Sequence, residues 1–232
     1  MAVTERQLLP WRARSIRSVP RMPWSADGRW RVRPSTFVVL MVGLWLFGTG
    51  EALLVASRLG NTPWTVLAQG VSRHSSLSIG EATFAISLVV LLAWIPLRER
   101  PGFGTIANAV LIAVAIDVML RVLPTPTAAG WRLAEVAGAI AAIGVGSGFY
   151  LTSLLGPGPR DGWMTGLARR LHAPIAYVRL SMELSVLVVG WALGGRVGLG
   201  TVVFALTIGY AVAGSMHLLT RIVPSRQLEG AT

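Results

Sequence analysis

The chain contains no cysteine and no lysine among its 232 residues. The absence of cysteine excludes disulfide bonds, thiolate zinc sites and cysteine nucleophiles. The absence of lysine excludes the phosphate-binding loop of nucleotide-binding proteins, whose motif requires that residue. Charged residues make up only 13% of the chain, whereas hydrophobic residues reach 53% and the mean hydropathy is +0.61. This composition is typical of an integral membrane protein and not of a soluble domain.

The positive charge of the chain is carried entirely by arginine. The formal net charge is +11, from 21 basic and 10 acidic residues. Eight of the arginines precede Thr36, and most of the others lie at the ends of apolar runs. This distribution reports membrane topology and not a nucleic-acid surface, so no nucleic-acid partner is expected.

Six apolar runs have about the 20 residues that a helix needs to cross a bilayer. They cover residues 36–57, 78–97, 104–123, 134–155, 176–194 and 200–220. The basic leader before the first run is too long for a cleaved signal peptide. With the N-terminus in the cytoplasm, 15 arginines lie on the inner side and 5 on the outer side. The positive-inside rule therefore predicts a multi-pass protein of a bacterial inner membrane with a cytoplasmic N-terminus.

The second half of the chain repeats the first without a gap. Gly48-Thr49-Gly50 aligns with Gly144-Val145-Gly146, 96 positions later, and further Gly, Pro and Arg residues keep the same register. Each copy contains three apolar runs, and because three is odd, the copies must be inverted if every run spans the membrane. The predicted fold is therefore an all-α membrane protein of six transmembrane helices arranged as two inverted three-helix repeats. Inverted repeats are typical of secondary transporters.

This repeat divides the chain into four parts. Residues 1–35 are an Arg- and Pro-rich cytoplasmic tail, 36–130 the first membrane repeat, 131–222 the second, and 223–232 a cytoplasmic C-terminal tail. The favoured interpretation of the N-terminal tail is a disordered segment that fixes the orientation. The alternative is that it lies on anionic lipid, with its Trp rings at the level of the headgroups.

Two segments do not fit a simple six-helix arrangement. Residues 61–75 and 157–171 occupy the same place in the two repeats, and each predicts a helix too short to span the bilayer. They are either re-entrant half-helices buried in protein or helices on the membrane surface, and the sequence leaves both alternatives open.

The densest motif is Gly156-Pro157-Gly158-Pro159-Arg160-Asp161-Gly162. The prolines end the preceding helix, Gly158 and its neighbours allow a tight turn, and Asp161 is placed to cap the next short helix. Arg160 adds a charge that can hold a carboxylate or phosphate. With Pro63 and Trp64 in the matching turn of the first repeat, these residues form a predicted substrate site. The alternative is a purely structural capped turn.

Four further charges lie within the apolar runs: Glu51, Asp117, Arg179 and Glu183. Charges at this depth are costly and are functional candidates by default. Arg179 and Glu183 are four residues apart and are expected to be buried and to pair with each other, or else with Asp161 or Glu51. The Arg179–Glu183 pair is either part of a site or a structural clasp between helices.

No enzyme is expected. The three histidines are scattered, no metal-ligand spacing occurs, and no Ser/His/Asp or HExxH arrangement is present. The sequence also predicts no cofactor.

Six sequence features carry a resemblance to a known family. They are Leu155-Gly156-Pro157-Gly158-Pro159-Arg160-Asp161-Gly162-Trp163-Met164-Thr165-Gly166-Leu167, Leu59-Gly60-Asn61-Thr62-Pro63-Trp64, Pro96-Leu97, Gly102-Phe103-Gly104-Thr105, Arg179 with Glu183, and Gly190-Trp191-Ala192-Leu193-Gly194-Gly195. The chain resembles the YczE/YyaS/YitT-type family of bacterial multi-pass membrane proteins over about residues 37–220. The resemblance implies a plasma-membrane location and brings no substrate.

Two functions fit these observations. The first is a secondary transporter of a small solute, an anionic one among the options, with membrane lipids as its other partners. The second is a non-transporting scaffold or accessory protein of a biosynthetic or export system. A polar cavity between Pro63 and Pro159 favours the transporter, whereas a tightly packed apolar centre favours the scaffold.

Overall fold

A computed structural model describes residues 19–223, which form helices joined by short loops. The helices are α1 (Pro34–Ser57), α2 (Pro63–Arg73), α3 (Ile79–Leu92), α4 (Trp94–Leu97), α5 (Phe103–Val122), α6 (Ala129–Thr152), α7 (Pro159–Leu171), α8 (Ile175–Ala192) and α9 (Leu199–Ile222).

Within residues 19–223, six helical segments are long and apolar enough to cross a membrane: α1, α3 together with α4, α5, α6, α8 and α9. Each corresponds to one of the six apolar runs, so the predicted all-helical fold with six spans is confirmed. The two additional short helices, α2 and α7, lie within the predicted segments 61–75 and 157–171. The protein is therefore a multi-pass membrane protein.

Helices α1 and α6 form the centre of the bundle and run antiparallel. The Arg132 Nε at the start of α6 donates to the Ser57 carbonyl at the end of α1, at 2.7 Å. The helices approach closely because glycines face each other: a Cβ added to Gly146 would lie 2.5 Å from the Gly43 carbonyl oxygen. Small residues allow such backbone contact in membranes, where packing drives helix association.

Equivalent contacts join the ends of these two helices to α5 and α9. The Gly104 amide donates to the Leu155 carbonyl at 2.9 Å, and the Gly200 amide donates to the Leu59 carbonyl at 2.8 Å. Gly104 aligns with Gly200, and Leu59 aligns with Leu155, in the 96-residue register, so the two contacts are equivalent. The loop after α1 therefore holds the start of α9 as the loop after α6 holds the start of α5.

The halves differ in one respect. Helix α3 packs along α5, whereas α8 and α9, their counterparts in the second half, hardly contact each other. Helix α8 is held instead by α2 and α7, and α9 by α6. This α8–α9 gap, between Ile175–Ala192 and Leu199–Ile222, leaves one side of the bundle open.

The described part of the leader is not a free tail. The Ser25 hydroxyl donates to the Thr152 carbonyl at 2.6 Å, and the Ala26 amide donates to the Ser153 carbonyl at 2.9 Å. Met22 is 1% exposed. The expectation of disorder is therefore wrong for residues 19–33, because this stretch has backbone partners and an apolar anchor on the end of α6. Residues 1–18 and 224–232 lie outside the described part.

Candidate functional site

The short helices α2 and α7 begin inside the bundle. Pro63 and Pro159 are their first residues, and both are buried. Thr62 caps α2 by accepting the Thr65 amide on its side chain, at 3.3 Å. The matching cap of α7 is Gly158, so the prediction that Asp161 caps this helix is wrong. Asp161 lies in the first turn, where a carboxylate is still favoured by the helix dipole.

A cavity of about 220 Å³ lies where these two helices begin. Its wall contains most of the charged and turn residues singled out in the sequence: Glu51, Pro63, Trp64, Gly158, Arg160, Asp161, Arg179 and Glu183. Apolar side chains complete it, including Phe47, Ile143, Met164, Met182, Phe204 and Ile208. Residues far apart in the chain therefore meet in one partly polar space between the predicted turns.

Arg160 and Trp64, which align in the two halves, contact each other at the centre. The guanidinium carbon of Arg160 lies 5.1 Å from the centroid of the Trp64 ring. This is a cation–π arrangement, which fixes the orientation of the guanidinium and screens one of its faces from solvent. The Trp64 ring also meets the Trp163 ring edge to face, with centroids 6.3 Å apart.

Glu51 is the carboxylate nearest to this arginine. Its Oε1 lies 3.9 Å from Arg160 Nη1, which is within ion-pair range but too long for a hydrogen bond. Its Oε2 accepts hydrogen bonds from the hydroxyls of Thr62, at 2.9 Å, and Thr65. The side chain is 1% exposed, so a charge of α1 is buried against the start of α2.

Asp161 follows Arg160 in the first turn of α7 and also lines the cavity. Its Oδ2 accepts from the hydroxyl of Tyr150 at 3.3 Å, which ties the start of α7 to α6. Asn108 of α5 also lines the cavity, and its amide nitrogen would lie 3.3 Å from a Cβ added to Gly158. Because Gly158 has no side chain, it leaves room for Asn108 in the polar part of the cavity wall.

Arg179 and Glu183 form the predicted pair, with Arg179 Nε 3.0 Å from Glu183 Oε1. The expectation that the pair is buried is wrong, because the side chains are 56% and 36% exposed. The reason is the α8–α9 gap, which leaves this face of α8 without a neighbouring helix. The pair therefore lies at the open side of the cavity.

Two predicted residues have roles outside the cavity wall. Asp117 accepts from the Ser78 hydroxyl at 2.5 Å and from the Gly80 amide at 2.8 Å, so it holds the N-terminal end of α3 against α5. The Pro159 carbonyl accepts from the Trp94 indole nitrogen at 2.9 Å. Both contacts fix helix positions and do not face the cavity.

Sequence reasoning missed three contributors. Thr65 and Tyr150 carry no motif, and their hydrogen bonds to Glu51 and Asp161 join residues 14 and 11 positions apart on different helices. Thr62 lay within a recognised turn, and its position before a proline helix start was a usable signal for a cap. Its bond to Glu51 depends on how α2 packs against α1.

Comparison with known proteins gives a consistent assignment. An uncharacterized protein of Haemophilus influenzae is 41% identical over 209 residues, covering 90% of this chain and 96% of that protein. The uncharacterized membrane protein YczE of Bacillus subtilis is 30% identical over 203 residues, covering 85% and 92%. The uncharacterized protein YyaS of the same organism is 24% identical over 194 residues, covering 82% and 96%. No solved structure matches the chain.

The family profile of DUF6198, described as a family of unknown function, matches residues 34–217. This range begins with α1 and ends within α9, so it contains five spans, both short helices and most of the sixth span. The chain therefore belongs to the DUF6198 family, among membrane proteins of the YczE and YyaS type.

Proposed function

We propose that this protein is a secondary transporter that moves a small solute across the bacterial inner membrane, with its N-terminus in the cytoplasm. The observation that carries the proposal is the 220 Å³ cavity at the meeting point of α2 and α7. A scaffold has no need of ionised side chains around an internal space, because such groups are costly within a membrane protein.

We infer that the two halves form an inverted repeat. The inference is supported by the antiparallel α1–α6 pair and by matched contacts such as Gly104–Leu155 and Gly200–Leu59. In transporters built this way, the solute site lies at the repeat interface and is formed by interrupted helices. The starts of α2 and α7 correspond to such interruptions, which supports the re-entrant interpretation of both segments.

The unequal packing of the halves supports a transport cycle. The α8–α9 gap is open, while the equivalent α3–α5 contact is closed. If the halves exchange these arrangements, α3 and α5 separate as α8 and α9 meet, and the cavity becomes accessible from the other side. Such an exchange is alternating access in an inverted-repeat protein. The arginine distribution supports the cytoplasmic N-terminus, and the bacterial relatives, of which YczE is called a membrane protein, support a bacterial membrane.

The proposal is tested by cysteine accessibility, which is simple here because the chain contains no cysteine. Ser147 lines the cavity from α6 and is 7% exposed. In a transporter, the cysteine of Ser147→Cys should react with a small membrane-impermeant methanethiosulfonate from either face. Vesicles of both orientations, containing the full-length protein, allow each face to be tested separately.

Two further variants calibrate the faces. Arg73→Cys and Arg169→Cys, at the ends of α2 and α7, should label from opposite sides if the repeats are inverted. Labelling of Ser147→Cys from one face only, with both reference positions reacting as expected, would overturn transport in favour of a scaffold with a fixed cavity. Labelling of both reference positions from the same face would contradict the inverted repeat.

A further inference from the structure

Acidic and basic side chains are not equal in number around the cavity. Among the described residues that line it, three are carboxylates, Glu51, Asp161 and Glu183, and two are guanidiniums, Arg160 and Arg179. Arg179 already pairs with Glu183, and Arg160 lies beside Glu51. The cavity wall therefore contains one more carboxyl group than guanidinium groups, and Glu51 would repel an incoming anion in an environment that screens charge poorly.

Glu51 provides the most direct evidence for a missing donor. Its Oε1 is buried and accepts no hydrogen bond from any residue in 19–223. A buried carboxylate oxygen without a donor is strongly unfavourable, and native structures rarely keep one without a functional reason. The nearest cation, Arg160, lies 3.9 Å away, and its guanidinium carbon lies over Trp64 at 5.1 Å from the ring centroid.

The surroundings of this oxygen define the chemistry of its partner. A group with N–H donors and a positive charge can donate to the free oxygen of Glu51 and also interact favourably with the charge of its carboxylate. The aromatic and aliphatic wall, including Phe47, Phe204 and Ile208, suits an apolar body attached to that group. The volume of 220 Å³ lies below the range of about 300–1,000 Å³ for drug-sized ligands, which limits the body to a small one.

We propose that the cavity binds a small organic cation, an ammonium on a compact apolar body, and that Glu51 is its counter-ion. This proposal rests on the proposed transport function for its biological meaning, but binding itself does not require transport. It replaces the anionic solute considered from the sequence, because the arginine that suggested an anion is already placed beside a carboxylate.

The test uses the purified full-length protein and isothermal titration calorimetry with three matched probes. These are 2-phenylethylammonium, 3-phenylpropionate and 2-phenylethanol, which share a ring and differ in charge. Propylammonium is added as a smaller cation. The expected result is binding of at least one ammonium probe with at least tenfold higher affinity than the carboxylate and the alcohol.

Glu51→Gln keeps the shape of the side chain and removes its charge. In this variant we expect the ammonium affinity to fall at least tenfold and the preference over the carboxylate to disappear. Glu99→Gln is the matched control, since Glu99 pairs with Arg169 at 2.8 Å but lies outside the cavity. This control should retain wild-type affinity and selectivity, which separates loss of the counter-ion from a general effect of removing a carboxylate.

Three results would overturn the proposal: no ammonium binding to the wild type, tighter binding of the carboxylate or alcohol, or unchanged ammonium binding in Glu51→Gln. If Glu51→Gln does not fold, the wild-type selectivity alone still decides. Ammonium binding with one-sided labelling of Ser147→Cys would support the site and reject transport. Two-sided labelling without ammonium binding would support transport and reject this solute class.

Discussion

Replacing Gly146 by alanine should destabilise the protein, whereas the same change at Gly138 should not. Both glycines lie on α6. A Cβ on Gly146 would lie 2.5 Å from the Gly43 carbonyl oxygen and 2.8 Å from the Phe47 amide nitrogen, both backbone atoms of α1. A Cβ on Gly138 would have only Leu53 Cδ1, at 3.9 Å, as a neighbour.

The magnitude follows from comparing the two variants. Each gains about 1 kcal/mol of helix propensity, so this contribution cancels in the difference between them. A carbon and a carbonyl oxygen require roughly 3.3 Å or more, so α1 and α6 must separate by nearly 1 Å at Gly146. Overpacking of this kind costs about 1–3 kcal/mol, and the upper half of this range is expected because neither backbone atom can turn away.

The assay is reversible unfolding of the purified protein in mixed micelles, titrated with dodecyl sulfate and followed by tryptophan fluorescence. Gly146→Ala should unfold with a free energy about 2–3 kcal/mol below that of Gly138→Ala. Equal stability of the two variants would refute the reasoning and show that α1 and α6 are not in backbone contact at Gly43.

Three further predictions concern the leader, the α8 ion pair and the gap. Met22→Ala should lower the free energy of unfolding by about 2–5 kcal/mol because the Met22 side chain is buried against the helices. An unchanged free energy of unfolding would mean that the leader around Met22 is a free tail. No helix covers the Arg179–Glu183 pair, so Glu183→Gln should lower the free energy of unfolding by less than the roughly 3–5 kcal/mol that breaking a buried pair costs. A loss of that full size in a melting experiment would show that the pair is buried. Gly80 of α3 and Ala113 of α5 are in contact, and the residues that align with them in the second half are Ala176 of α8 and Gly209 of α9. Cysteines at Ala176 and Gly209 should therefore form a disulfide under oxidising conditions only if α8 and α9 come together. Absence of this cross-link in membranes would contradict alternating access.

The number and positions of the spans could be predicted from the sequence because they depend on local properties. A run of about 20 apolar residues must become a helix in lipid, since no water is present to satisfy its backbone groups. The start of α2 and of α7 could also be predicted from a local property, because the proline ring sets the backbone angle that the first residue of a helix needs. Pro63 and Pro159 stand at those positions.

The site could be predicted only in part. The sequence identified Arg160, Trp64, Glu51 and the Arg179–Glu183 pair because charges and broken helices are exceptional in apolar segments. It assigned the cap of α7 to Asp161, although Gly158 occupies that position. It also grouped Asp117 with the functional carboxylates, whereas that side chain holds the start of α3.

The sequence by itself determined that this is a membrane protein with two related halves, because composition, span length and repeat register are properties of the linear chain. Only the tertiary structure decided which charges meet. The Arg160–Glu51 contact joins α7 to α1, and one oxygen of Glu51 has no hydrogen-bond partner although the Arg160 guanidinium lies within reach of both Glu51 and Trp64. The α8–α9 gap likewise has no signal in either helix, since it depends on how each packs against α2, α6 and α7. The position of each helix in the sequence depends on the properties of neighbouring residues, whereas the arrangement of the helices in space depends on contacts between residues that are distant in the sequence.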